Sequence, residues 1–132
     1  MKAVILLGTL KKNGISNTET LCEFLIGYLE KENIECSLIK LVEHNILPGT
    51  YNNMGNDDHW PKILKQMEGA DILIFATPIW WNVHSSEMQR AIERLDELHD
   101  EIMDGKKSRF DGKVAGVVVT GDSDGAESLI SN

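Results

Sequence analysis

The sequence predicts an α/β fold with a parallel sheet, on three observations. Short apolar runs rich in valine, isoleucine and leucine recur at Val4–Leu7, Ile34–Leu41, Ala70–Ala76 and Lys113–Thr120. Longer stretches with apolar residues at helical spacing stand between them. The first, third and fourth runs each open into a polar loop, the arrangement of a strand feeding a helix. Strands that alternate with helices pair in parallel through right-handed crossovers, with helices on both faces of the sheet.

The first strand, Val4–Leu7, leads into Gly8-Thr9-Leu10-Lys11-Lys12-Asn13-Gly14-Ile15-Ser16-Asn17-Thr18. The spacing of Leu21, Phe24, Leu25, Tyr28 and Leu29 then predicts a helix from Asn17 to Asn33, capped by Ser16 or Asn17. Residues Ile34–Leu41 largely alternate, so this strand has one face more exposed. Val42–Asp58 is a long connection rich in Asn, Gly and Pro, without a clear period, a length usual for functional or mobile loops. Asp57 and Asp58 ahead of Pro61 mark the start of a second helix, with Trp60, Ile63, Leu64 and Met67 as its stripe and Gly69 as its end. Ala70–Ala76 is a buried strand stopped by Thr77-Pro78. A third helix opens near Ser85 or Ser86, where Ser86 and Gln89 have capping-box spacing. Its core stripe is Met88, Ala91, Ile92, Leu95 and Ile102, with acids and arginines on its other faces. Asp104–Gly112 is a charged loop. The fourth strand, Lys113–Thr120, is apolar enough to be covered on both faces. Gly121–Gly125 is a loop, and Ala126 begins another helix.

In such a sheet three loops gather at the carboxyl edge, where open α/β folds bind ligands: Thr9–Ser16, Thr77–His84 and Thr120–Gly125. The first joins a buried strand to a helix start, where free backbone N–H groups and the positive end of the helix dipole favour an anion. Thr9, Ser16, Asn17 and Thr18 add hydroxyl and amide groups, and Lys11 or Lys12 adds charge. Asn13-Gly14 is also an ordinary turn pair. Two sharper motifs are excluded. The step from Gly8 to Gly14 is one residue too long for a P-loop, and Leu10 fills the second glycine position of the dinucleotide pattern. In the second loop Trp80 and Trp81 are neighbours, and neighbours on an extended segment point opposite ways. One indole is therefore expected in the core and the other beside a flat aromatic ligand. His84, alone in a polar loop, reads as a surface residue. Asp122 and Asp124 read as turn formers or caps, because no third ligand has metal-site spacing.

At 132 residues the chain fits one domain. Its net charge of −8 argues against nucleic acid and suits a solubilising surface or a basic partner. No apolar run has the length of a membrane span, so no membrane partner is expected and the chain reads as cytoplasmic. Cys22 and Cys36 both fall in predicted core elements and read as buried thiols.

Several ordered pieces carry a family resemblance: Gly8–Gly14 leading to Asn17-Thr18, Asp57-Asp58, Ala70-Asp71 through Trp81, and Thr120–Ala126. The chain resembles the flavodoxin-like NADPH-dependent FMN reductases, in the branch of iron–sulfur flavoproteins and multimeric flavodoxin-type quinone reductases. The resemblance implies an FMN site, with Thr9, Lys11, Ser16, Asn17 and Thr18 at the phosphate. Pro78, Ile79, Trp80 and Trp81 would line the ring, and Thr120, Gly121, Asp122 and Gly125 would close the other side. It implies electron transfer from NAD(P)H to a quinone or other small acceptor, with no catalytic side chain required because flavin carries the chemistry. A homodimer or homotetramer is implied as well. The cluster cysteines of the iron–sulfur branch are missing, so no metal centre is expected. The family's sheet continues through a fifth strand and a last helix. Residues 1–132 are therefore expected to form a single, C-terminally incomplete FMN-binding domain with strand order 2-1-3-4.

Overall fold

A computed structural model describes residues 1–121 and 125–132. Its parallel strands are β1 (Lys2–Leu7), β2 (Glu35–Lys40), β3 (Ile72–Trp80) and, after a two-residue β4 (Val83–His84), β5 (Val114–Thr120). The parallel order is β2-β1-β3-β5, the expected 2-1-3-4 once β4 is set aside. β4 folds back antiparallel onto the end of β3, pairing Ile79 with His84 and Trp80 with Val83. The helices are α1 (Asn17–Lys31), α2 (Trp60–Glu68), α3 (Ser86–Glu93), α4 (Asp96–Met103) and α5 (Ala126–Ser131).

The two faces of β1 explain the layers. Alternate residues of a strand point to opposite faces. Val4 and Leu6 join Trp60, Ile63, Leu64 and Met67 of α2, and Met88 and Ala91 of α3, in one core. Ile5 and Leu7 face the other way, onto Cys22, Leu25, Ile26 and Leu29 of α1. Burial also pushes the Cys22 thiol up to about 11, with Glu19 and Glu23 adding to the effect, so Cys22 is a packing residue. Cys36 is only half-buried.

Several elements differ from expectation. The buried stripe of α1 runs through Thr18 and Cys22, and Phe24 and Tyr28 are exposed. Their spacing is helical, but it marks a second apolar stripe turned to solvent. β3 does not stop at Pro78. It runs on to Trp80, with Pro78 opposite Thr120 and the Thr77 hydroxyl donating to the Pro78 carbonyl at 2.9 Å. The third helix breaks into α3 and α4 around Arg94-Leu95, leaving Ile92 and Ile102 exposed. Ser85 is the cap of α3, with its Oγ accepting from Met88 N, and no Ser86–Gln89 box forms. β5 is not covered on both faces: Val114 and Val117 are exposed, and no strand flanks its outer edge among the described residues.

The largest departure concerns the long loop 44–59. Only Leu41–Glu43 of the connection is helical, as a single 3₁₀ turn. The rest is held by an ion pair between Asp58 and Arg94, both fully buried. Arg94 Nη1 donates to Asp58 Oδ1 at 2.9 Å and Nη2 to Oδ2 at 2.5 Å, a two-pronged pairing that suits guanidinium geometry. The same guanidinium donates to the carbonyls of Leu47 and Tyr51. The Asp58 carboxylate accepts from the backbone of Leu47, Met54 and Trp60. Each partner thereby satisfies the other and ties down loop backbone that has no ladder of its own.

Burial alone would raise the Asp58 carboxyl, but the Arg94 hydrogen bonds and the three backbone donors outweigh it and hold the group well below the carboxylate range. A depressed carboxyl contributes stability that is whole above its unfolded value, about 3.9, and is lost as pH falls further towards its folded value. Asp58→Asn is therefore expected to lower stability at pH 7 and to flatten its decline below about pH 4, read by urea unfolding across pH. Arg94→Met strands a buried carboxylate and is expected to cost about 3–5 kcal/mol at pH 7. The Asp58→Asn/Arg94→Met pair should cost less than the sum of the single changes.

Candidate functional site

The carboxyl ends of β1, β3 and β5 lie side by side, because β3 pairs with both of the others. Above them opens a cleft of about 630 Å³, lined by Thr9, Leu10, Lys11, Ile15, Ser16, Asn17, Thr18, Pro78, Ile79, Trp80, Thr120 and Gly121. That volume is in the range of a cofactor-sized pocket. All three sequence-predicted loops contribute to it.

The first wall is the loop from β1 and the start of α1. Thr9 is buried, and its Oγ1 accepts from Lys11 N at 3.2 Å. Gly14 takes a positive φ of 77°, which a glycine adopts without penalty. Ser16 caps α1, its Oγ accepting from Glu19 N at 3.1 Å. The N–H groups of Asn17 and Thr18, in the first turn, have no carbonyl a turn earlier to bind and face the same end of the cleft. Lys11 reaches back to the Ile15 carbonyl at 3.3 Å. Lys40, at the end of β2, donates to the Gly14 carbonyl at 3.1 Å and lies 3.2 Å from a Glu19 carboxylate oxygen. Sequence reasoning missed Lys40. The one signal for it was a lysine closing a strand at the edge where the loops meet.

The second wall is the end of β3. Pro78, Ile79 and Trp80 line the cleft, and Trp80 is half-exposed across its mouth. Trp81 and Asn82 both have positive φ, 50° and 67°, the two-residue hairpin turn that joins β3 to β4. Neither tryptophan of the pair is in the core. Trp81 is 96% exposed at the tip of the hairpin and is not among the lining residues, contrary to the expected division. Continuing the strand through Pro78 moves the turn two residues further on, which carries Trp81 out of the cleft.

The third wall is Thr120 and Gly121. Thr120 Oγ1 meets Thr18 Oγ1 at 2.5 Å and so fastens the end of β5 to the first turn of α1. Gly121 has a φ of 146°, and a Cβ there would lie 2.9 Å from Ile79 Cβ. Gly125 does not line the cleft; a Cβ on it would collide with Ile79 and Asn82, so it backs the hairpin. Asp122 lies outside the described residues, as do Ser123 and Asp124. His84 also stands outside the lining, with its Nε2 engaged by the Gln89 side chain.

One buried residue joins the first two walls. Ser85 N donates to Thr77 Oγ1 at 3.0 Å, and Ser85 Oγ donates to the Gly8 carbonyl at 2.5 Å. Gly8 N in turn donates to the Ala76 carbonyl at 2.7 Å. A side chain on Gly8 would crowd Ser85 Oγ and Met88 Cβ, each 3.0 Å from the Cβ position.

The lining is therefore divided in chemistry. Backbone and hydroxyl donors with Lys11 gather on the side of the first loop, beside the apolar Leu10 and Ile15, and Pro78, Ile79 and Trp80 form a wall without charged side chains on the other. No carboxylate is among the described lining residues. An anionic group joined to a planar ring system fits this division. A riboflavin phosphate has that chemistry. Among the described residues no group of three or more His, Cys, Asp or Glu side chains is placed to hold a metal ion, and no helix is long and apolar enough to cross a membrane.

Comparison with known proteins agrees with this chemistry. Residues 1–131 match the family described as NADPH-dependent FMN reductase. An 8-demethyl-8-aminoriboflavin-5'-phosphate synthase of Streptomyces davaonensis is 32% identical over 98% of this chain and 54% of its own. The crystal structure of RosB with a bound 8-demethyl-8-formylriboflavin-5'-phosphate intermediate superposes with a TM-score of 0.80, at 30% identity, over 99% of this chain and 56% of that one. The Trp repressor binding protein of Bacillus subtilis superposes with a TM-score of 0.69, at 26% identity, over 99% of this chain and 75% of that one. The chain spans about half the length of the synthase, and 20% of a divalent metal cation transporter, MntH of Mycobacterium bovis, that is 28% identical to it. With the match running through residues 1–131 and a flavodoxin-like sheet beneath the cleft, the chain belongs to the NADPH-dependent FMN reductase family, whose cofactor is FMN and whose electron donor is NADPH.

Proposed function

We propose that this chain forms the FMN-binding domain of an oxidoreductase that passes electrons from NAD(P)H to a quinone-like or other small acceptor. The observation that carries the reading is the division of one cleft into a donor-rich side and a side without charged side chains. Thr9, Lys11, Ser16, Asn17 and Thr18 hold the phosphate through N–H and hydroxyl donors and one ammonium. Pro78, Ile79 and Trp80 take one side of the ring system and exclude water from it. Thr120 and Gly121 close the other side, Gly121 packing against Ile79 where a Cβ would not fit. Asp122 completes that side in the same reading, while Gly125 and Trp81 act from outside the cleft by shaping the hairpin. The flavin, when bound, supplies the redox chemistry, so the protein's task is binding, orientation and exclusion of solvent. The loop 44–59 is the proposed seat of acceptor choice. The working protein is a cytoplasmic homodimer or homotetramer in this reading, with no nucleic-acid or membrane partner.

A second reading is favoured by one specific observation, the riboflavin-5'-phosphate derivative bound in the RosB structure. In it the flavin phosphate is a substrate and not a resident cofactor. Recovering FMN after turnover separates the two: a cofactor returns unchanged, and a substrate is consumed.

Mixing FMN with the protein should quench flavin fluorescence at one equivalent, and NADPH oxidation should then require a quinone. A pure electron carrier would bind FMN but show little steady-state turnover. Trp80→Ala is expected to weaken FMN and riboflavin alike, by about tenfold, since the ring is common to both. Lys11→Ala should weaken FMN alone by a few-fold, because riboflavin has no phosphate for it to meet. Both are read by fluorescence titration.

A further inference from the structure

We propose that Lys40 is a positioning residue that keeps the anion site at the start of α1 open by holding the Glu19 carboxylate away from it. This deepens the flavin-phosphate reading and rests on it.

Ser16 and Glu19 stand at the cap and third positions of α1. That spacing is the capping box, in which the carboxylate folds back to accept from the backbone N–H of the cap residue. Only half of the box forms here. Ser16 Oγ accepts from Glu19 N, but the Glu19 side chain turns to Lys40, with 3.2 Å between charged atoms. Ser16 N–H finds no acceptor among the described residues. It belongs to a lining residue of the cleft, beside Asn17 and Thr18.

A carboxylate in the first turn of a helix is itself an anion suited to that helix's N-terminus. Glu19 is thus a built-in competitor for a phosphate at the same place. Lys40 removes it in two ways. Its ammonium neutralises a carboxylate whose side chain is 14% exposed, and its own side chain is 10% exposed, so water screens the pair little. It also donates to the Gly14 carbonyl at 3.1 Å, which fixes the turn just before Ser16. Lys40 is not among the lining residues, so it acts through Glu19 and Gly14 and not by touching the ligand.

The test compares FMN with riboflavin, the same ring without the phosphate, in the unaltered protein, Lys40→Met, Glu19→Ala and the double variant. Lys40→Met is expected to weaken FMN about tenfold and to leave riboflavin unchanged. Adding Glu19→Ala should restore most of the loss, because no side-chain acceptor is left to fold back onto the cap. Equal weakening of FMN and riboflavin, or no rescue by Glu19→Ala, would overturn the proposal in favour of a general structural role. Unchanged FMN binding in Lys40→Met would overturn it too. Thermal stabilisation by inorganic phosphate separates this idea from the flavin reading. If the unaltered protein ignores FMN but is stabilised by phosphate, and Lys40→Met is not, the flavin reading falls and the role of Lys40 stands. If neither ligand has an effect on the unaltered protein, both fall.

Discussion

The cleft depends on one buried hydroxyl more than on any side chain that lines it. Ser85 bonds through its backbone to Thr77, through Oγ to the Gly8 carbonyl, and through the same oxygen to the first turn of α3. Beyond the last ladder bond, from Gly8 N to the Ala76 carbonyl, it therefore ties the chain leaving β1 to the end of β3 and the start of α3. Backbone groups at strand ends have lost their ladder partners and would otherwise be left unpaired in the interior. Ser85 reaches one of them, the Gly8 carbonyl, while also meeting the Thr77 hydroxyl and the Met88 N–H of α3. The nearby Gly8 leaves just enough room for that oxygen, which links the glycine after the first strand to the serine that follows the second loop and caps α3.

The Asp58–Arg94 pair plays the matching part on the far side of the chain. The loop 44–59 has almost no regular hydrogen bonding, yet Ile46 and Trp60 at its two ends are buried in the core. Its carbonyls and amides are collected by two opposite charges removed from water. Such a pair gains little over a well-packed apolar alternative, and either half alone is costly. What it provides is a single path for an otherwise unpatterned chain.

The architecture was legible because it follows from periodicity. Buried runs and helical stripes placed every parallel strand, and the carboxyl-edge rule brought Thr9, Pro78 and Thr120 to one rim. Local errors came where a partner distant in sequence overrode a local sign. Pro78 ends strands as a rule, but here it sits opposite Thr120 at the end of the ladder, where losing a donor matters little. Phe24 and Tyr28 keep helical spacing without facing the core. Arg94 reads as a surface charge because nothing near it in sequence announces Asp58, 36 residues earlier. Lys40 had only its place at a strand end to mark it, because its meaning lies in Gly14 and Glu19, which only the fold brings to it.

The hairpin at the end of β3 separates Trp80 from Trp81, so the three tryptophans have three different surroundings. Trp60 is wholly enclosed, with the Arg94 guanidinium 5.8 Å from its ring centroid. Trp80 borders the cleft, and Trp81 stands in water. Indole emission follows the polarity around it, so the chain contains its own set of optical probes. Light from Trp60 reports on the integrity of the interior, light from Trp81 on the bulk solvent, and light from Trp80 on whatever settles beside it.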